Sequence, residues 1–271
     1  MPAGHAMALP DPPNDPPHRT GTQAISRAAL ILRQLSTRGR FGWRLSDLAD
    51  RCGLDRGTTH RILAGLVRER LVQQRRSDHH YLPGPLVFEI AQAMPAYAAF
   101  QHACAQPLER LARRFGGLAL MHLHSGDDTV CIGRAGESVY VGTAMDLGTR
   151  WPLIASAGGV AILIALPPAE RERIKASNFA RMAARTRTAV KAIEAMIERS
   201  QRQGLAFNRG ETAAGVHAFA LPVRGAGGTV FGSLAIACHA PEVPEARMPE
   251  VVEALRAECR LLEAEAAKVM E

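Results

Sequence analysis

The sequence predicts an α+β protein: a winged helix-turn-helix at the N-terminal end, a linking helix, then an antiparallel sheet flanked by helices. Three observations carry this. Apolar residues recur at helical spacing between Ile25 and Leu66, and a short hairpin pattern follows. The spacing changes towards a period of two after Gly117. All of the excess positive charge falls in the first of these regions. Twelve Arg face five acids between Gln23 and Gly84, whereas residues 85–271 hold 20 basic and 19 acidic side chains. A cationic module joined to a neutral one implies a polyanionic partner for the first alone.

Residues 1–22 hold six Pro and little bulky apolar surface, and they are expected as a disordered tail. Ile25, Ala28, Ala29 and Leu32 then mark the inner face of a helix ending near Ser36, before Gly39 and Gly42. A short second helix begins at Leu45, buries Leu45, Leu48, Ala49 and Cys52, and stops at Gly53. Asp55 is placed to cap a third helix running to about Glu69, with Thr59, Ile62, Leu63 and Leu66 inward. Leu71–Gln74 and His80–Leu82 read as a hairpin that completes residues 23–84. Pro83 and Pro85 flank Gly84 and close this domain. A linking helix is expected within 85–105, and one further domain over 106–271.

In that last domain the spacing predicts strands at Leu118–His124, Thr129–Arg134, Val139–Ala144, Leu205–Asn208, Val216–Val223 and Thr229–Cys238. Helices are expected at Ala155–Leu166, Ala169–Ala176, Thr188–Gln203 and Pro249–Val269. Five scattered Cys with no Cys-x-x-Cys pair argue against both a disulfide framework and a zinc site. The first residues lack a basic stretch followed by an apolar run, so no secretory signal is read. The longest strongly apolar run, Val160–Leu166, is too short to span a membrane, and a cytoplasmic protein is expected.

The candidate DNA-contacting residues follow from the helical faces. The inward face of the third helix leaves Gly57, His60 and Arg61 outward, with Arg56 and Thr58 in its first turn. In a helix-turn-helix those early residues meet base edges in the major groove. Arg reads guanine with two hydrogen bonds, and Thr58 and the free N–H groups of the first turn hold phosphate. Arg75 and Arg76 sit on the wing, and Arg27 lies near the start of the first helix. Double-stranded DNA is therefore the expected partner.

The stretch Leu45–Leu63 (LSDLADRCGLDRGTTHRIL) resembles the DNA-binding core of IclR-type transcriptional regulators, through Gly53-Leu54, Arg56, Thr58, His60, Arg61 and Leu63. Tyr81 and Gly84 are similar to the end of that family's wing. Gly57 departs, standing where Ser is usual, and Arg70 stands where the family has the Gly that ends the third helix. Gly148–Gly159, Arg202–Ala206, Glu211, Gly215-Val216 and Ala220–Val223 extend the resemblance over about residues 23–240. Val160 departs as well, where Lys is common.

The resemblance implies a GAF-like effector-binding domain, a homodimer through the DNA-binding half or a dimer of dimers, and a palindromic operator. It implies Tyr140, Thr143, Trp151, Ala157, Gly158, Asn208, Ala218, Ala235 and Ala237 as the effector lining. Of these, Ala218, Ala235 and Ala237 stand at places where members that bind small acids carry polar groups. The expected small-molecule effector is therefore an aromatic or otherwise hydrophobic carboxylate, acting on a repressor or activator. Read without the resemblance, Ser156–Gly159 opens a helix whose N-terminus suits an anion, or whose small residues allow close packing.

An enzyme is the rival class. His122-x-His124 with Asp127-Asp128 has the alternation of a metal site, and equally that of a strand ending in a turn, which is the preferred reading. There is no Gly-x-Ser-x-Gly, no phosphate loop and no dinucleotide fingerprint. Neither catalytic residues nor a metal or cofactor are expected.

Overall fold

A computed structural model describes residues 22–137, 145–182 and 186–269. The expected tail, but for Thr22, and the expected strand Val139–Ala144, with Tyr140 and Thr143, lie outside the described residues. The chain divides into two compact units, one ending at Pro95 and the next beginning at Ala96.

The first unit is built from helices α1 (Gln23–Leu35), α2 (Leu45–Cys52) and α3 (Arg56–Arg68), with a hairpin of β1 (Val72–Gln74) and β2 (Tyr81–Pro83). Asp55 caps α3 by accepting the Thr58 N–H at 2.8 Å. Gly53 ends α2 in the left-handed region at φ 61°, where a side chain is disfavoured. Thr59, Leu63 and Leu66 are buried from α3, and Leu48, Ala49 and Cys52 from α2, while Leu45 and Ile62 are half-buried.

The inner face of α1 is rotated from the expected one. Ile31, Gln34 and Leu35 are buried, and Ile25 is 70 % exposed. The first turn leaves Ile25 uncovered by the described residues, so apolar spacing alone misplaces the face. Trp43 bridges to Tyr81 through two backbone hydrogen bonds of 3.0 and 2.8 Å, tying the loop after α1 to the wing.

Residues 85–105, expected as one helix, hold two: α4 (Pro85–Ala91) and α5 (Pro95–Ala103), before α6 (Ala105–Phe115). The separation has a local cause. Pro95 lacks an N–H and clashes with the preceding turn, so a helix can start at it but not pass through it.

The second unit is a six-stranded antiparallel sheet made of β3 (Leu118–Ser125), β4 (Asp128–Gly136), β5 (Arg150–Pro152), β6 (Ala206–Asn208), β7 (Val216–Arg224) and β8 (Val230–His239). Its strand order is β5-β4-β3-β8-β7-β6. The three-residue edge strand β5 was not expected, since so short a run shows no alternation.

The sheet separates two cores. On one face lie Leu118, Leu120, Ala218, Ala220, Ala235 and Ala237, beneath α7 (Ala157–Ala165) and α9 (Arg187–Gln203). On the other lie Ala119, Met121, Phe207, Phe219 and Ile236, against α5, α6 and α10 (Met248–Val269). Alternate residues of each strand serve opposite cores, as the pleat requires.

Helix α8 (Pro168–Arg181) runs five residues past its expected end. Its last turns carry little apolar periodicity and are held by polar contacts instead. Asn178, fully buried, bonds the Asp127 carbonyl at 3.0 Å and the Ile154 N–H at 3.3 Å. Arg181 pairs with Asp128 at 2.8 Å, and Ser177 donates to Asp127 at 2.7 Å. The β3–β4 turn is thereby latched to α8. No helix among the described residues is long and apolar enough to cross a membrane.

Candidate functional site

On the first unit, the exposed face of α3 presents Arg56, Gly57, His60 and Arg61, with Thr58 half-buried. The geometry of the first turn follows from the cap. Thr58 N–H closes on Asp55, and the Thr58 hydroxyl accepts from Arg61 Nη2 at 3.2 Å. These hydrogen bonds to Thr58 hold the Asp55 carboxyl below the usual carboxylate range, so it stays ionised and keeps the cap at neutral pH. Arg61 is therefore pre-positioned over the turn by one long, exposed hydrogen bond to an uncharged acceptor, which a base or phosphate can replace.

The two wing arginines are placed differently. Arg75 donates to both Asp78 oxygens at 2.8 and 2.6 Å and to the carbonyls of Arg40 and Phe41 at 2.7 and 2.9 Å. Its guanidinium thus staples the wing to the loop after α1, and it pulls the Asp78 carboxyl far below its ordinary range. Arg76 is exposed and outward. Arg27 is half-buried on α1. Arg70 takes a left-handed backbone at φ 61°, the conformation a Gly at that position would hold without strain. Its side chain pairs with Glu89 of α4.

On the second unit, the register places most of the expected lining on one face. Asn208 opposes Ala218, Ala218 opposes Ala237, and Ala235 opposes Leu120. Trp151 of β5 opposes Thr129. All are buried, together with Ala157 at the start of α7.

The small residues opening α7 have internal uses. A Cβ at Gly158 would lie 2.4 Å from His122 Nδ1, and one at Gly159 would lie 2.2 Å from the Leu153 carbonyl oxygen. Ser156 caps the helix, its Oγ accepting the Gly159 N–H at 3.0 Å. Close packing, the alternative left open by the sequence, thus accounts for both glycines. Asn208 is turned onto its own loop: Nδ2 donates to Thr212 Oγ1 at 2.7 Å and Oδ1 accepts from Gly210 N–H at 3.0 Å. Arg199, paired with Glu211 at 2.7 Å, closes the same loop.

One side chain on this face was not among the expected residues. His122 of β3, 2 % exposed, points to the side of Leu118 and Leu120. Burial lowers its pKa to about 4, so the ring is neutral. In the sequence it stands in the His122-x-His124 pattern, preferred as a strand ending in a turn, and the signal for its burial is a polar residue at an inward strand position. Among the described residues no cluster of three or more His, Cys, Asp or Glu could hold a metal ion. The five cysteines are buried and free, and burial raises their pKa values to about 11 or 12.

An exposed basic recognition helix on one unit, and a small-residue sheet face under a helix on the other, define a DNA-binding transcriptional regulator with a sensing domain. Comparison with known proteins gives the family. Residues 24–76 match the IclR helix-turn-helix domain, and residues 97–263 match the C-terminal domain of the bacterial transcriptional regulator IclR. The chain belongs to the IclR family of transcriptional regulators.

It is similar to the transcriptional regulator SauR of Cupriavidus necator, with 32% identity over 75% of this chain and 79% of that one. It is also similar to the transcriptional repressor AllR of Salmonella typhi, with 25% identity over 86% of each. A crystal structure of an IclR transcriptional regulator from Silicibacter sp. TM1040 matches with TM-score 0.74 and 26% identity, over 90% of this chain and 96% of that one. An IclR homologue from Microbacterium hydrocarbonoxydans, solved in complex with 4-hydroxybenzoate, shares the fold with TM-score 0.66 at 18% identity, over 90% and 99% of the two chains.

Proposed function

We propose that this regulator binds a palindromic operator as a dimer, or as a dimer of dimers, in the cytoplasm, and that an aromatic or otherwise hydrophobic carboxylate sets its affinity for DNA. The observation that carries the effector class is the sheet face formed by Ala218, Ala235 and Ala237, continued by the buried Trp151. Such a face has apolar bulk and few polar side chains, and it suits an apolar body. The 4-hydroxybenzoate bound by the Microbacterium homologue belongs to that chemical class.

For DNA, the reading rests on Arg56, Thr58, His60 and Arg61 along one side of α3, with Arg76 on the wing and Arg27 on α1 as phosphate contacts. Dimerisation through the DNA-binding half is supported by the exposed apolar residues of α4, Val87, Phe88 and Ile90, together with Ile25 of α1. Effector binding favours one arrangement of the paired recognition helices. Half-sites lie about one helical turn apart or multiples of it, so a small change of spacing alters affinity. A coupling of about 1–3 kcal/mol is typical.

The test is fluorescence anisotropy with DNA from immediately upstream of the gene, across a salt series, for wild type and Arg61→Ala. The expected outcome is specific binding that Arg61→Ala weakens by about 1–3 kcal/mol. No binding even at low salt overturns the reading. A thermal-shift screen addresses the effector: stabilisation by small hydrophilic acids alone sinks the aromatic or hydrophobic class.

A further inference from the structure

The small-residue face of the sensing sheet carries a polar side chain that has no hydrogen-bond partner among the described residues. Both ring nitrogens of His122 are buried and make no hydrogen bond. Among the described residues, polar groups of the adjoining strands and of the start of α7 are engaged elsewhere. Ser233, opposite His122 in the β3–β8 register, donates to the Gly158 carbonyl at 2.7 Å. Thr129 Oγ1 donates to the Leu123 carbonyl at 3.3 Å, and Ser156 Oγ accepts from Gly159. Buried polar atoms are overwhelmingly paired, so a ring left with one donor and one acceptor marks a partner from outside the chain.

The fold also makes room for this ring, since Gly158 leaves out the one carbon that would strike it. A second unpartnered donor shares the face: the buried Trp151 Nε1–H. It lies two strands over and two residues along, about 12 Å away between backbones at ordinary sheet spacings, a span that two large side chains and a small aromatic molecule can bridge.

We propose that His122 is a specificity-determining residue of the effector site, hydrogen-bonding an uncharged polar substituent, such as a hydroxyl, on an effector whose apolar body lies against Ala235 and its neighbours. The inference rests on the effector reading above and narrows it. A neutral imidazole both donates and accepts, which matches a hydroxyl. It carries no charge to attract a second carboxylate. The ring stays neutral across the physiological range because burial holds its pKa near 4.

The test uses the full chain and four probes: benzoate and its 2-, 3- and 4-hydroxy derivatives. Affinities are measured by calorimetry for wild type and His122→Phe, which keeps an aromatic ring and removes both nitrogens. At least one hydroxybenzoate should bind wild type more tightly than benzoate does. His122→Phe should weaken that ligand about two- to ten-fold, the value of one neutral hydrogen bond, and leave benzoate unchanged.

Equal affinities of a hydroxybenzoate for both proteins overturn this inference and leave the effector reading standing. Failure of all four probes to bind wild type overturns this inference and, with it, the aromatic arm of the effector reading. Should His122→Phe not fold, ¹⁵N-histidine spectra of wild type carry the same decision. Both ring nitrogens of His122 should shift on saturation with the hydroxybenzoate, and unmoved nitrogens overturn the proposal.

Discussion

Arg70 and His122 show how a single residue can hold information that spacing does not reveal. Arg70 occupies a left-handed backbone that costs an ordinary side chain about 1–2 kcal/mol. Arg70→Gly relieves that strain, loses an exposed ion pair, and adds backbone entropy to the unfolded chain. The net expectation is a gain of about 0.5–1 kcal/mol in urea unfolding, and a loss would show the strain to be compensated. The departure from the family pattern was visible in the sequence; its backbone consequence needed the structure.

For His122 the folded pKa lies below the unfolded value of about 6.5, so the folded state resists protonation. The resulting stability is complete above pH 6.5 and is lost as pH falls towards 4, by about 3 kcal/mol in all. Unfolding midpoints at pH 7 and pH 4.5 should therefore draw apart in wild type, and by less in His122→Phe. Equal pH dependence in both proteins counts against this assignment.

At the scale of elements, α2 and α3 were legible because several signals agree: Asp55 as cap, Gly53 as stop, and apolar positions at helical spacing. β5 and the end of α8 were not, because a three-residue edge and a turn held by Asn178, Ser177 and Arg181 carry no periodicity. Of the residues expected as effector lining, the register puts Asn208, Ala218, Ala235 and Ala237 on one buried sheet face, which strand alternation makes legible. The loop bonds of Asn208 are local but carry no periodicity, and the seat of His122 on Gly158 depends on a contact far apart in sequence.

The wing shows how closely its parts are set. A Cβ at Gly84 would lie 2.2 Å from the Arg70 carbonyl oxygen and 2.7 Å from Val72 N. Gly84→Ala should destabilise the first unit by about 3 kcal/mol, the upper range for overpacking, read as a lower unfolding midpoint. The two wing arginines should separate by assay. Arg76→Ala should reduce the slope of log affinity against log salt by about 1 and leave the melting temperature unchanged. Arg75→Ala should instead speed hydrogen exchange at residues 75–81, because it frees the wing from the carbonyls of Arg40 and Phe41. Similar effects of both substitutions would contradict the division of roles.

For the whole molecule, the proposed dimer makes α4 decisive. Phe88 is 69 % exposed on a helix with no buried residue of its own. A Phe88→Asp, Ile90→Asp double variant should run as a smaller species in light scattering and lose most operator affinity, since each half-site alone contributes too little. An unchanged mass would move the interface elsewhere. The latch between Asp127, Asp128 and α8 meanwhile fixes one end of the β3–β4 hairpin.

The sheet itself is one strand thick between its two cores, and this has a mechanical consequence. It is placed as a diaphragm would be. Along β3, Leu118, Leu120 and His122 look towards α7, while Ala119 and Met121 look towards α6 and α5, the helix by which the chain arrives from the DNA-binding unit. Under the proposed effector reading, a molecule bound against the first set would act on the second through the same backbone, with no separate relay to assemble.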